Sequence, residues 1–181
     1  MCLISRNFSK NTKLTNKECH NIYTKYCGRL TAVCSRYLSN EEDVKDVLQE
    51  SFLKIFRNYD GFTARTEGSL EAWMKRIVVN EALNYLRKRK PLVFTDSIND
   101  IGSEDISETD LCGVPFDVIH EFIRQLPDGF RTVFNLFVFE ERSHKEIAEL
   151  LGIKESTSAS QFLRAKRMLI EKVEQYKLKN R

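Results

Sequence analysis

The stretch SHKEIAELLGIKESTSASQFLRAKRML, residues 143–169, decides how the chain is read. Ser143 stands three residues before Glu146, the spacing of a capping box at a helix start. Ile147, Leu150 and Leu151 follow at helical spacing and give one apolar face. Gly152 supplies the backbone freedom for a left-handed turn residue, and Ile153 closes the turn with an apolar contact. A second helix then begins near Ser156. Its buried face is predicted to be Ser158, Phe162, Ala165 and Leu169, which leaves Thr157, Ser160, Gln161, Arg164 and Arg167 facing outward. Short polar groups and arginines on an exposed helix face suit base edges and phosphates in a major groove. The pattern is that of a helix-turn-helix with a recognition helix.

The composition bounds what surrounds this motif. The chain has 181 residues, 41% hydrophobic and 30% charged, with few Gly and Pro and no run of alternating β-branched residues long enough for a sheet. The expectation is an all-α protein of one medium or two small domains. The net charge of +3 says little by itself. Its distribution says more: residues 91–123 hold no Lys or Arg, whereas LRKRK (86–90) and the stretch from Arg164 to the end are basic. Basic patches on either side of an acidic segment suggest a two-part nucleic-acid binder.

The five cysteines form no CxxC, and an odd number makes a disulfide framework a poor fit. Cys19, His20 and Cys27 match no familiar zinc spacing, and Cys27 and Cys34 read as small core hydrophobes. No Gly-rich phosphate loop, metal cluster or nucleophile–base pattern occurs, so neither an enzyme nor a cofactor is expected. No apolar run is long enough to span a bilayer, so a cytoplasmic protein without membrane insertion is expected.

Ahead of the opening stretch, residues 1–16 read as a flexible tail. A first helix starts near Asn16 with Ile22, Tyr26, Leu30, Val33 and Tyr37 on its buried stripe. Ser39 or Asn40 caps a second helix, whose apolar side is Val44, Val47, Leu48, Phe52, Ile55, Phe56 and Tyr59. Its other side shows Asp46, Gln49, Glu50, Lys54 and Arg57. Ser69 is placed to cap a third helix with Leu70, Trp73, Ile77 and Leu86 as apolar anchors, Val78 and Ala82 filling between, and a polar line of Arg76, Asn80, Asn84, Arg87 and Lys88. Residues 91–115 have linker composition. Beyond them, 116–126 is amphipathic, Asp128 is placed to cap the next helix, and 130–140 is apolar nearly all round, which predicts the centre of a second small domain.

In combination these segments resemble the bacterial RNA polymerase sigma factors of the extracytoplasmic-function (ECF) group of the sigma-70 family. DVKDVLQESFLKIFRN (43–58) is similar to the family's helix that grips core polymerase, and LEAWMKRIVVNEALNYLRKRK (70–90) to its promoter-melting and −10 helix. Residues 126–169 are similar to its −35 domain. The resemblance implies a flexible tail (1–16), a region 2 domain (17–90), a linker (91–115), a region 4 helix-turn-helix domain (116–176) and a short tail (177–181). It also implies a transcription initiation factor that binds core RNA polymerase, reads −10 and −35 elements and assists strand opening. Its partners would be promoter DNA, the clamp helices of the largest polymerase subunit, the flap of the second largest, and an anti-sigma factor. One departure is the hydroxyl-rich start of the recognition helix (Ser156, Thr157, Ser158, Ser160), where many members are more basic. The competing reading is a stand-alone helix-turn-helix regulator.

The resemblance assigns residues as follows. Asp43, Asp46, Gln49 and Glu50 meet polymerase, acids and amides being able to receive Arg or Lys forks. Asn80 and Asn84 suit base edges, and Arg76, Arg87 and Lys88 suit phosphate. Phe62 and Arg65 flank an unstacked base, with a core plug as the competing role for Phe62, while Trp73 is assigned to the core. Ser160, Gln161 and Arg164 contact the groove; Thr157, Lys166 and Arg167 hold the DNA backbone. His144 is expected at the surface, and His20 and His120 as structural.

Overall fold

The computed structural model describes residues 14–64, 66–89 and 113–180. Among these the chain is all-α, with seven α-helices and no strand. The expected tail and linker lie outside the described residues except at their inner ends, 14–16 and 113–115. The chain divides into two compact units, Met1–Lys88 and Arg89–Arg181.

The first unit contains α1 (Asn16–Tyr37), α2 (Glu41–Asn58), a 3-10 turn (Tyr59–Gly61) and α3 (Ser69–Arg89). The cap of α1 is Thr15 rather than Asn16. Its hydroxyl accepts from the Glu18 N–H at 3.3 Å, while Glu18 accepts from the Thr15 N–H at 2.8 Å. Only a cap at Thr15 puts Glu18 at the third helical position that a capping box requires. Asn40 caps α2, its side-chain oxygen accepting from the N–H groups of Glu42 (2.8 Å) and Asp43 (3.2 Å). Ser69 is itself the first residue of α3, and its hydroxyl donates back to the Thr66 carbonyl at 2.7 Å.

The α1 and α2 stripes bury as the periodicity predicts, with Ile22 and Tyr59 at the half-buried margins. The α3 stripe is met in part, with Val78, Ala82 and Leu86 buried as expected. Met74, Val78, Ala82 and Leu83 are essentially sealed, whereas Leu70, Trp73 and Ile77 are half-buried. Trp73 is therefore on the border of the core, not in it. Two polar ties cross from α2 to α3: the Tyr85 hydroxyl donates to Asp43 at 2.7 Å, and Lys54 donates to Glu81 at 2.7 Å. Cys34 is wholly buried on α1, and burial pushes its thiol up to about 12.

The second unit contains α4 (Phe116–Arg124), α5 (Asp128–Val138), α6 (His144–Leu151) and α7 (Glu155–Lys179). Ile123, Leu126, Ala165 and Leu169 form a buried cluster, walled by Ile119, Phe122, Phe130, Phe134, Phe139 and Met168. The helix expected to be apolar all round, α5, instead turns Arg131, Thr132 and Asn135 inward beside Val133 and Leu136, and leaves Val138 exposed. Asp128 is the first residue of α5, not its cap, and pairs with Arg131. The Arg131 guanidinium, 2% exposed, also donates to the carbonyls of Arg124 (2.7 Å) and Leu126 (3.0 Å). It thus receives the carbonyl end of α4, which has no intrahelical partners of its own.

Candidate nucleic-acid interface

The turn between α6 and α7 is built as its residues dictate. Ser143 and Glu146 complete the capping box, each bonding the other's backbone N–H (3.3 and 2.9 Å). These bonds hold the Glu146 carboxyl below the usual carboxylate range. Gly152 sits in the left-handed region at φ +69°, and the Ile153 N–H reaches the Ala148 carbonyl at 3.1 Å, closing a Schellman-type turn. A residue with a side chain at Gly152 meets no atom but must adopt the strained φ.

The rotation of α7 about its axis differs from expectation. Thr157 (5% exposed) and Gln161 (0%), expected outward, are buried with Ser158, Ala165, Leu169 and Val173. Phe162, expected inward, is half-buried on the flank, with its ring 4.4 Å from that of Phe137. The inward run is therefore 158, 161, 165, 169, steps of three, four and four. α7 packs on α5 and α6, and Thr132 and Asn135 of α5 are buried polar side chains of the same unit.

The outward strip of α7 keeps Ser156, Leu163 and Arg167 exposed and Ser160, Arg164 and Lys166 half-buried. The Ser160 hydroxyl donates to the Thr157 carbonyl at 2.9 Å, leaving its lone pairs for a donor. Leu163 and the preceding Lys154 were not singled out from sequence, and Ser156 only as part of the hydroxyl-rich helix start and not as a contact residue. Counting back from Arg167 in helical steps reaches 163, 160 and 156, and would have found two of them.

His144 is not a free surface residue. Its ring stacks on Phe137 at 4.6 Å, lies 5.8 Å from Phe162, and its Nδ1 is 3.1 Å from the Ser158 hydroxyl. Burial pulls its pKa below the usual value, opposed by Glu155. The imidazole thus wedges the two helices of the motif together.

In the first unit, Arg76, Asn80, Arg87 and Lys88 are exposed along α3 and Asn84 is half-buried among them. The Asn84 amide donates to Glu81 at 3.4 Å. Phe62 and Trp73 meet at 5.0 Å between ring centroids, both half-buried, where the loop returns to α3. Arg65 lies outside the described residues. On α2, Asp46, Gln49 and Glu50 are exposed, while Asp43 is half-buried against Tyr85. Among the described residues no group of three His, Cys, Asp or Glu side chains is arranged to hold a metal ion. Nor is any helix long and apolar enough to cross a membrane.

The chain matches two family models: "Sigma-70 region 2" over residues 22–91 and "Sigma-70, region 4" over residues 116–169. It is 30% identical over 172 residues to the ECF RNA polymerase sigma-E factor of Haemophilus influenzae, covering 88% of this chain and 89% of that protein. It is 31% identical over 157 residues to the ECF sigma factor SigW of Bacillus subtilis, covering 80% and 82%. Among solved structures it is similar in fold to the sigma factor RpoE of Bartonella quintana, crystallised with the anti-sigma factor NepR. That likeness has a TM-score of 0.50, 21% identity, and covers 87% of this chain and 98% of the other.

Proposed function

The chain belongs to the sigma-70 family, in its extracytoplasmic-function group, and on that premise we propose how its two units share the work of a promoter-directing initiation factor. Its partners are RNA polymerase and promoter DNA. In the proposed division, the domain over 17–90 binds core polymerase and the −10 element, and the domain over 116–176 binds the −35 element. The acidic stretch over 91–115 joins the two.

The observation that carries the reading is a polar strip on each unit: Arg76, Asn80, Asn84, Arg87 and Lys88 on α3, and Ser160, Arg164, Lys166 and Arg167 on α7. Amides reach base edges and arginines reach phosphates. Thr157 and Gln161 are reassigned from DNA contact to seating the recognition helix, because their side chains are buried. Asp46, Gln49 and Glu50 on α2 meet the clamp helices of the largest polymerase subunit. Asp43 does so only after exchanging its bond to Tyr85. The second unit meets the flap of the second largest subunit. Phe62, backed by Trp73 and helped by Arg65, offers a face to an unstacked base, which returns on the order of 1–3 kcal/mol per base. Opening a base pair costs a few kcal/mol, so such stacking assists melting without fuel. No catalytic group is needed for this role. We place the protein in the cytoplasm, with an anti-sigma factor as a further partner, as the Bartonella neighbour has.

Run-off transcription with core polymerase tests the reading. Promoter-specific transcript should appear only when this chain is added. Tight, specific promoter binding without polymerase, and no stable complex with core, would establish a stand-alone regulator instead.

A further inference from the structure

The polar strip on α3 contains one side chain whose orientation is set by a neighbour outside the strip. Glu81 projects toward α2, with its side chain only 13% exposed, and its Oε2 receives Lys54 at 2.7 Å. Its other oxygen, Oε1, receives the Nδ2 of Asn84 at 3.4 Å. A carboxylate accepts hydrogen bonds and cannot donate them. The Asn84 amide must therefore turn its nitrogen toward Glu81 and its oxygen away, since the reverse would put two acceptors face to face. Lys54 locks the carboxylate from the α2 side, so Glu81 cannot follow a rotating amide. We propose that Glu81, held by Lys54, is a positioning residue that fixes which end of the Asn84 amide is presented to promoter DNA.

A free asparagine offers a donor and an acceptor in either order, so it can pair with edges of either polarity. A pinned one offers a single order. The edge that Asn84 leaves open has the acceptor Oδ1 on one side and the second Nδ2–H on the other. That is the arrangement that reads the adjacent donor and acceptor of an adenine edge. The Lys54–Glu81 pair thereby converts a sequence-tolerant amide into a selective one. The inference rests on the proposed placement of Asn84 against the −10 element.

The test is multiplexed in vitro transcription by the holoenzyme, core polymerase plus the full chain, on a promoter pool with the −10 element randomised. Asn84→Ala first identifies the base position that this residue reads, as the one whose preference collapses. Glu81→Gln and Lys54→Met should then flatten the preference at that same position by about fivefold or more, since a good bidentate pair discriminates by on the order of five- to 150-fold. Lys54→Arg keeps a cation on the carboxylate and should retain the wild-type preference. Thermal midpoint and core affinity, measured in parallel, separate selectivity from loss of fold, because a merely structural defect lowers transcription from all sequences alike. If Asn84→Ala shifts a preference but Glu81→Gln does not, the positioning role is overturned. A uniform fall across the pool for Glu81→Gln overturns it too. If Asn84→Ala shifts no position, the placement of Asn84 against DNA fails before the question of Glu81 arises.

Discussion

Replacing Arg131 with Met tests the account of the second unit most directly. The guanidinium bonds the Arg124 carbonyl, the Leu126 carbonyl and Asp128. The guanidinium is buried but Asp128 is half exposed, at 51%, so water at the carboxylate screens the pair and holds its contribution to about 1 kcal/mol. The carbonyls matter more. The bond to Leu126 is buried, and an orphaned buried carbonyl costs about 1–3 kcal/mol. The bond to Arg124 is only partly buried, so water recovers part of its loss. Methionine fills most of the volume, so no large cavity term is added. The sum is a loss of about 3 kcal/mol for Arg131→Met against under about 1 kcal/mol for Asp128→Asn, with Arg131→Lys between them because an ammonium lacks the fork. The one tryptophan, Trp73, lies in the first unit, so fluorescence follows that unit and serves as the control. The second unit is followed by hydrogen exchange of the slowest amides of α5 in the full chain. If Arg131→Met changes that exchange free energy by less than about 0.5 kcal/mol, or if Asp128→Asn costs as much, the guanidinium is not what joins α4 to α5.

Three further outcomes are expected. His144 has a lowered folded pKa, so between its unfolded value of 6.5 and that lower one the unfolded state binds more protons. Stability of the second unit should therefore fall as pH drops from 7 through this window, and His144→Gln should flatten the profile of α7 hydrogen exchange. Gln161→Leu should change the −35 base preference of the holoenzyme by less than about twofold, because its side chain is buried, whereas Arg167→Ala should weaken promoter binding on all sequences and reduce the salt slope by about one. Phe62→Ala should slow opening of duplex promoters, read by permanganate footprinting, yet leave transcription from a pre-melted promoter nearly intact. Equal loss on both templates would refute the stacking role.

Much of what is local along the chain was legible in the sequence, although Ser69 and Asp128, expected as caps, are first helical residues instead. The Ser143–Glu146 box, the left-handed Gly152 and the Asn40 cap each depend on residues within a turn of one another, and each stands where it was expected. The stripes of α1 and α2 were legible because one apolar face meets one core. The rotation of α7 was not, and that of α3 only in part: Val78, Ala82 and Leu86 bury as expected, while Met74 and Leu83 take inward places and Trp73 and Ile77 stay half-buried. On α7 Gln161 took the inward position and Phe162 the flank, where its ring meets Phe137 of α5, a contact that local spacing does not record. His144 was misplaced for the same cause, since neither Phe137 nor Ser158 is its neighbour in sequence. Local spacing thus finds the helices proposed to face DNA, while the side chains they leave outward follow from packing.

The two interiors also differ in how they should respond to temperature. Among the described residues, the first unit buries one polar side chain, Ser51, within an apolar core. The second buries Arg131, Thr132, Asn135, Thr157, Ser158 and Gln161. Exposing apolar surface raises the heat capacity of unfolding and exposing polar surface lowers it. Residue for residue, the second unit has the smaller increment and so the flatter stability curve. The first unit gains and loses stability more steeply on either side of its optimum. The second unit is then the less sensitive of the two to a shift in growth temperature, and the first the more sensitive.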